Sequence, residues 1–262
     1  MKQQLENEVN GTGPDLVLLN GWGMNRAVLR PVATRLATQF RVHCLEMPGY
    51  GGSPWTAELA GQDWAQRVEL VAEHLPARAH VVGWSLGGML AWSLAAYAPE
   101  RVCSAVSVCA SPRFVAEGAW PGTRPGVLES FASQLQADSR KTIERFLAVQ
   151  AMGSPQAREE MRTLREQLQQ LPAAEPQALA QGLAWLAALD LRPQLAALTV
   201  PTLCLFGRLD GLVPQAVSTQ PCFARPPVAH HLFPSSAHAP FLTEMTDFID
   251  TVAGFCLRQE KR

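Results

Sequence analysis

The chain has 262 residues, of which 47% are hydrophobic and 17% charged, with a formal net charge of −1. That length supports a large buried core in one α/β domain with an insertion, and the near-neutral balance excludes a global attraction to nucleic acid or membrane. No stretch approaches the about 18 uninterrupted apolar residues of a membrane span, and the polar opening MKQQLENEVNGTG lacks a signal-peptide core, so a cytoplasmic location is expected.

In chain order, the strand-like run LVLLN (16–20) precedes a helix near 27–39. RVHCLEM (41–47) reads as a second strand, a helix follows near 62–75, and AHVVGW (79–84) is a third strand. Leu86, Leu90, Leu94 and Tyr97 then recur at helical spacing until Pro99. After the strand VCSAVSVCA (102–110) the rhythm changes. GVLESFASQLQ, RKTIERFLAVQAM, SPQAREEMRTLREQLQQL and PQALAQGLAWLAAL predict four helices in a separate layer. Strands resume at PTLCLFG (201–207) and VAHHLFP (228–234), and an amphipathic helix closes the chain from about Thr243 to Leu257. Alternation of this kind builds a mostly parallel central sheet flanked by helices. The expected division is an α/β core of residues 1–110 and 191–262, with an all-helical lid of residues 111–190 inserted into the same domain. Little chain precedes LVLLN, which predicts a reduced sheet edge there. Cys44, Cys103, Cys109, Cys204, Cys222 and Cys256 form no C-x-x-C pair and read as reduced, mostly buried small residues.

Chemistry concentrates where strands end. Gly83-Trp84-Ser85-Leu86-Gly87 fits G-x-S-x-G between a strand and a helix, a turn that holds a serine hydroxyl up at the edge of a sheet. Glycine and serine are common in loops, so the pentapeptide decides little; its strand-turn-helix setting decides more. A serine hydroxyl needs a base to take its proton and an acid to orient that base. Of six histidines, His238 in SSAHAPF follows a strand in a small-residue loop and precedes the last helix. Asp210 in LFGRLDGLVP lies just past a strand's carboxyl end, where open α/β sheets build their sites. Its rival Asp190, at the end of the helical insertion, reads more simply as a cap or surface acid. The backbone N–H groups of Leu86 and of Trp22 in LLNGWGMN are the expected oxyanion donors. MPGYGGS (47–53) is a tight loop without the Lys and Ser/Thr of a phosphate-binding loop. Nothing calls for a metal, nucleotide or flavin cofactor.

Taken jointly and in order, NGWG, MPGYGGS, GWSLGG, LFGRLDGLVP and SAHAPF resemble the α/β-hydrolase superfamily across essentially the whole chain. Within it, ERFLAVQAMG (144–153) and EGAWPGTRPGVL (117–128) resemble the biotin-pathway carboxylesterases that demethylate pimeloyl-[acyl-carrier protein] methyl ester. The resemblance implies a Ser85, Asp210 and His238 triad, no cofactor, and substrate contacts from Trp22, Ser85, Leu86, His238 and the segment Phe146, Leu147, Ala148, Val149 and Gln150. It also implies an acyl-carrier protein as partner, acting on a monomer. Lys141 and Arg145 are four apart, and Arg158, Arg162 and Arg165 are spaced by four and three, so each set lies along one helix face, and Lys141, Arg145, Arg158 and Arg162 offer a docking surface for an acidic carrier. Glu144, Glu159 and Glu166 offer the ordinary alternative, a solvated face of internal pairs. One departure is Asn20-Gly21, where such enzymes usually carry His-Gly. A general short-chain esterase or an acyl thioesterase is the alternative enzyme, and a non-catalytic ligand-binding protein on the same fold is the alternative of another class.

Overall fold

A computed structural model of the chain describes residues 4–224 and 227–261; the first three residues of the polar opening lie outside the described residues. Seven strands form one sheet: β1 (Asn7–Asn10), β2 (Asp15–Leu19), β3 (Arg41–Leu45), β4 (Ala79–Trp84), β5 (Val102–Val108), β6 (Thr202–Gly207) and β7 (Val228–Phe233). Their spatial order is β1-β3-β2-β4-β5-β6-β7. Every neighbouring pair is parallel except β1 with β3. The helices in chain order are α1 (Arg30–Leu36), α2 (Ala57–Ala60), α3 (Trp64–Glu73), α4 (Leu86–Tyr97), α5 (Val127–Ala137), α6 (Ser139–Ala151), α7 (Ala157–Leu168), α8 (Pro176–Ala188), α9 (Arg192–Ala196), α10 (Pro240–Thr243) and α11 (Met245–Glu260).

The sheet is apolar on both faces, which is why helices must cover both. Along β2, Leu16 and Leu18 join one core with Val32 and Leu36 of α1 and Phe248 and Val252 of α11. Val17 and Leu19 point the other way, into a core with Val68 and Val71 of α3 and Leu90 and Leu94 of α4. Helix α4 is buried on every side from Leu86 to Ala95, so only Ala96 and Tyr97, at its last turn, behave as surface positions. Local chemistry sets the starts of the elements. Asp63 and Gln66 form a reciprocal capping box at the head of α3, satisfying donors the helix cannot.

Strand β1 and the short helices α2, α9 and α10 add to the sequence reading. Strand β1 is the reduced edge itself, and its NEVN has no apolar run to announce it. Backbone pairing with residues 42–45 of β3 makes it a strand, while Val9 stays exposed. The expected closing helix is α11, and the short α10 before it is set off at Glu244, whose carboxylate accepts hydrogen bonds from Ser235 N–H (3.0 Å) and the Ser236 hydroxyl, and whose backbone leaves the helical region.

Helices α5 to α8 lie between β5 and β6 in the chain. Helix α5 packs on α6 and α8, and α6 on α7. Arg165 of α7 clasps Glu144 of α6 through three hydrogen bonds of 2.7–3.0 Å. Trp22 Nε1 donates to Leu179 O of α8 at 2.8 Å, tying this layer to the loop after β2.

Candidate active site

Ser85 follows β4 with φ 55° and ψ −115°, a backbone that non-glycine residues adopt only when the surroundings enforce it. The surroundings are close. A Cβ on Gly83 would lie 1.9 Å from Gly87 O, so only glycine lets the strand turn this sharply into α4. Ser85 N–H donates to Val108 O of β5 (2.8 Å), while Ser85 O accepts from Gly88 N–H to begin the helix (2.9 Å).

The chain leaves β2 for β3 on one side, and β4 lies on the other, so the loops after β2 and β4 part at a crevice. The turn from Gly21 to Met24 lines it: a Cβ on Gly21 would stand 3.2 Å from Ser85 Cβ. Asn20, fully buried, donates from Nδ2 to Met24 O and to Gly21 O, clamping that turn. An amide thus holds the loop where the usual residue is histidine. Leu86 is the first residue of α4 and its N–H has no intrahelical acceptor, leaving it free for a developing negative charge.

Asp210 sits three residues beyond β6. Its Oδ1 accepts from Leu212 N–H (2.8 Å) and Val213 N–H (3.0 Å), and its Oδ2 accepts from His238 Nδ1 (2.8 Å). With Nδ1 donating, Nε2 of the neutral ring carries the lone pair. That Nε2 and Ser85 Oγ are both enclosed and neither has a hydrogen-bond partner, so each is unspent. Catalytic hydrogen bonds of this kind commonly tighten only when substrate arrives. The loop carrying His238 is fixed by Trp84 Nε1 donating to His238 O (2.7 Å) and by His238 N–H donating to Gln150 O (3.3 Å). Gly207 permits the contact between β6 and this loop, since a Cβ there would be 1.9 Å from Ala237 O. Asp190 stands apart, gripped by Arg192, whose hydrogen bonds hold its carboxyl below the usual range.

Cys109, Asp210 and His238 offer ligand atoms within 4.8 Å of one another. Burial, and then the Asp210 charge, push the Cys109 thiol well above its ordinary value, and both Asp210 oxygens are engaged. The set suits a hydrogen-bonded acid–base pair better than a metal centre, which would need the thiolate.

Trp22 is fully buried with Phe146 edge-on at 4.7 Å, and Phe131 packs behind Phe146 at 5.5 Å. The helical period of α6 separates the other expected contacts. Gln150 is buried with both amide atoms unpartnered beside the His238 loop, Val149 is half-buried, and Ala148 is exposed. Leu147 instead lines a cavity of about 540 Å³ together with Met24, Ile143 and Leu168. Neither Ser85 nor His238 lines that cavity, and both are closed from solvent. Lys141, Arg145, Arg158 and Arg162 are all exposed on the adjoining helices α6 and α7. Lys141 faces Asp138 (3.6 Å), Arg145 donates to Gln134 (2.7 Å), and Arg162 pairs with Glu159 (3.4 Å) and Glu166 (3.3 Å).

The family model for the alpha/beta hydrolase fold matches residues 14–245. The chain belongs to this family. A relative named pimeloyl-[acyl-carrier protein] methyl ester esterase, from Vibrio parahaemolyticus, is 45% identical over 97% of this chain and 99% of its own. A relative of the same name from Vibrio cholerae is 43% identical over 98% of this chain and 100% of its own. Among solved structures, an esterase from Exiguobacterium antarcticum superposes with a TM-score of 0.82, at 22% identity over 96% of this chain and 95% of that one, a likeness of fold. No helix among the described residues is long and apolar enough to cross a membrane.

Within this family's frame, sequence reasoning missed the groups that support the site from behind. Trp84 was visible as the variable residue of the elbow motif, but nothing in the sequence aims its ring at the His238 loop. Cys109 was visible only as one more apolar strand residue.

Proposed function

We propose that the chain is a serine carboxylesterase that removes the methyl group from pimeloyl-[acyl-carrier protein] methyl ester through an acyl-enzyme. The observation that carries this reading is an unspent serine hydroxyl after β4 and an unspent imidazole nitrogen after β7, both enclosed beyond the carboxyl ends of the sheet, in a chain whose full-length relatives bear that activity as their name.

Ser85 Oγ attacks the ester carbonyl while His238 Nε2 takes its proton. The tetrahedral oxyanion is met by the N–H groups of Leu86 and Trp22. The imidazolium, oriented by Asp210, returns the proton to the leaving methoxide as methanol departs. Water repeats the sequence on the acyl-enzyme: His238 accepts its proton, hydroxide adds to the carbonyl, and Ser85 leaves with the proton as the free acid forms. Trp22, Phe146 and Gln150 wall the acyl chain, and because Ser85 and His238 are closed off, the α5–α8 layer acts as a lid that yields to substrate. Lys141, Arg145, Arg158 and Arg162 meet the acidic carrier. Free thiols on all six cysteines support a cytoplasmic setting, and the scarcity of large exposed apolar residues supports a monomer.

The test is turnover of carrier-bound pimeloyl methyl ester against the free methyl ester and a carrier thioester. Preference for the carrier-bound ester supports the proposal, and preference for the thioester replaces it with thioesterase. Labelling of Ser85 by a fluorophosphonate, dependent on His238, separates any enzyme from a binding protein.

A further inference from the structure

Cys109 stands one residue past β5 with φ +48°, a left-handed backbone that its side chain makes unfavourable. It is fully buried. Its thiol donates to Ala237 O, the residue before His238, at 3.7 Å, and lies within 4.8 Å of both an Asp210 oxygen and a His238 ring nitrogen. Glycine would relieve this backbone, yet the chain keeps a side chain whose sulfur reaches the acid and the loop of the base at once. An outlier of this kind at a site points to a role for the residue that occupies it.

We propose that Cys109 is a positioning residue for the acid–base pair: its S–H, held between Ala237 O and the Asp210 carboxylate, fixes the carboxylate and draws charge from it, which tempers the basicity of His238. The inference rests on the triad proposed above. An ionised carboxylate offers about four acceptor positions, and Asp210 spends three of them on Leu212, Val213 and His238, so a fourth donor has a place. Burial and the Asp210 charge keep the thiol protonated, so it acts as donor and not as nucleophile. Other groups facing His238 do not titrate: the Trp84 ring from β4 and the Gln150 carbonyl from α6. Glu244, the nearest acid after His238 in the chain, is occupied by Ser235 and Ser236. Among the described residues, Asp210 and Cys109 remain as the acid and the thiol within 4.8 Å of the ring nitrogen.

The experiment compares wild type, Cys109→Ala and Cys109→Ser on a small soluble ester across pH, with Tm and the low-field proton resonance of His238 Nδ1–H recorded for each. Loss of the donor in Cys109→Ala is expected to raise the midpoint of the acid limb of kcat/KM by roughly half a pH unit and to lower kcat roughly three- to fivefold at unchanged KM. Serine is the stronger donor, so Cys109→Ser is expected to move the midpoint and the resonance in the opposite direction and to keep kcat. Midpoints that stay at the wild-type value, or that move the same way in both variants while Tm falls, would reduce Cys109 to packing and overturn the proposal. Ser85→Ala is measured alongside: full turnover in that variant would remove the triad itself, an outcome distinct from any behaviour of Cys109.

Discussion

The sheet carries a histidine–aspartate pair at each end, and the two are nearly alike in length. At the carboxyl end, His238 Nδ1 meets Asp210 Oδ2 at 2.8 Å; at the amino end, His43 Nε2 meets Asp15 Oδ1 at 2.7 Å. Distance therefore does not mark the site. The His43 ring has spent both nitrogens, the second on Asn7 at 3.3 Å, and its aspartate is a quarter exposed and also faces Arg41 (3.9 Å). The His238 ring is fully buried and keeps Nε2 unspent, and the strained Ser85 after β4 likewise keeps its hydroxyl unspent. Parallel strands bring loops of Gly-rich, free-ended backbone together at their carboxyl ends, where α4 also points its unpaired N–H groups. Their amino ends receive only the chain returning from each helix.

The largest test of this contrast is removal of the unspent groups. Ser85→Ala and His238→Ala are each expected to lower kcat on the order of a million-fold with the fold retained, and Asp210→Asn on the order of ten-thousand-fold. Steady-state kinetics with circular dichroism of each variant would decide it; a loss from Asp190→Asn equal to that from Asp210→Asn would move the acid to the helical layer.

A second buried carboxylate at the carboxyl end sharpens the comparison. Glu46 follows β3, is fully buried, and leaves Oε1 unpartnered, and burial pushes its pKa up to about 7 against the partial relief of Arg26. The folded protein holds this proton up to about pH 7, whereas the unfolded chain releases it near the ordinary 4.5. Folding takes up a proton between those values, so stability falls as pH rises through that window, by an amount on the order of 3 kcal/mol. Urea unfolding at pH 5 and pH 8 should show the slope in wild type and its loss in Glu46→Gln; an equal slope in both would assign it elsewhere.

Smaller effects are expected away from the crevice. Charge reversal at Lys141, Arg145, Arg158 and Arg162 should lower kcat/KM for the carrier-bound ester about tenfold at low salt, less at high salt, and leave a soluble ester unchanged. Equal losses on both substrates would show a damaged lid, and no loss on either would leave these cations as solvated surface. The smallest effect belongs to the amino-end pair. Asp15→Asn should change esterase kcat by less than about twofold and stability by roughly 1 kcal/mol or less, as for a partly exposed ion pair. A large kinetic loss there would erase the contrast between the two ends.

The alternation of strands and helices was legible in the residues alone, because β2 to β6 are largely apolar, buried runs and the longer helices show their own period. The elbow was legible too, since Gly83 and Gly87 are required by a turn local to five residues, and so was the placing of Asp210 after β6 and His238 after β7. The sequence could not show β1, whose NEVN is a strand only because β3 offers it a ladder, nor the inward turn of Phe146 and Gln150 against the outward turn of Ala148 within one contiguous segment. Helix α4 shows a helical period in the sequence, whereas its burial on every side from Leu86 to Ala95 depends on what covers it from distant chain. The meeting of Asp210, His238 and Cys109 belongs to the tertiary structure alone. Strand order decides which loops share a crevice, and contacts such as Cys109 to Ala237 join residues more than a hundred positions apart that no local pattern connects.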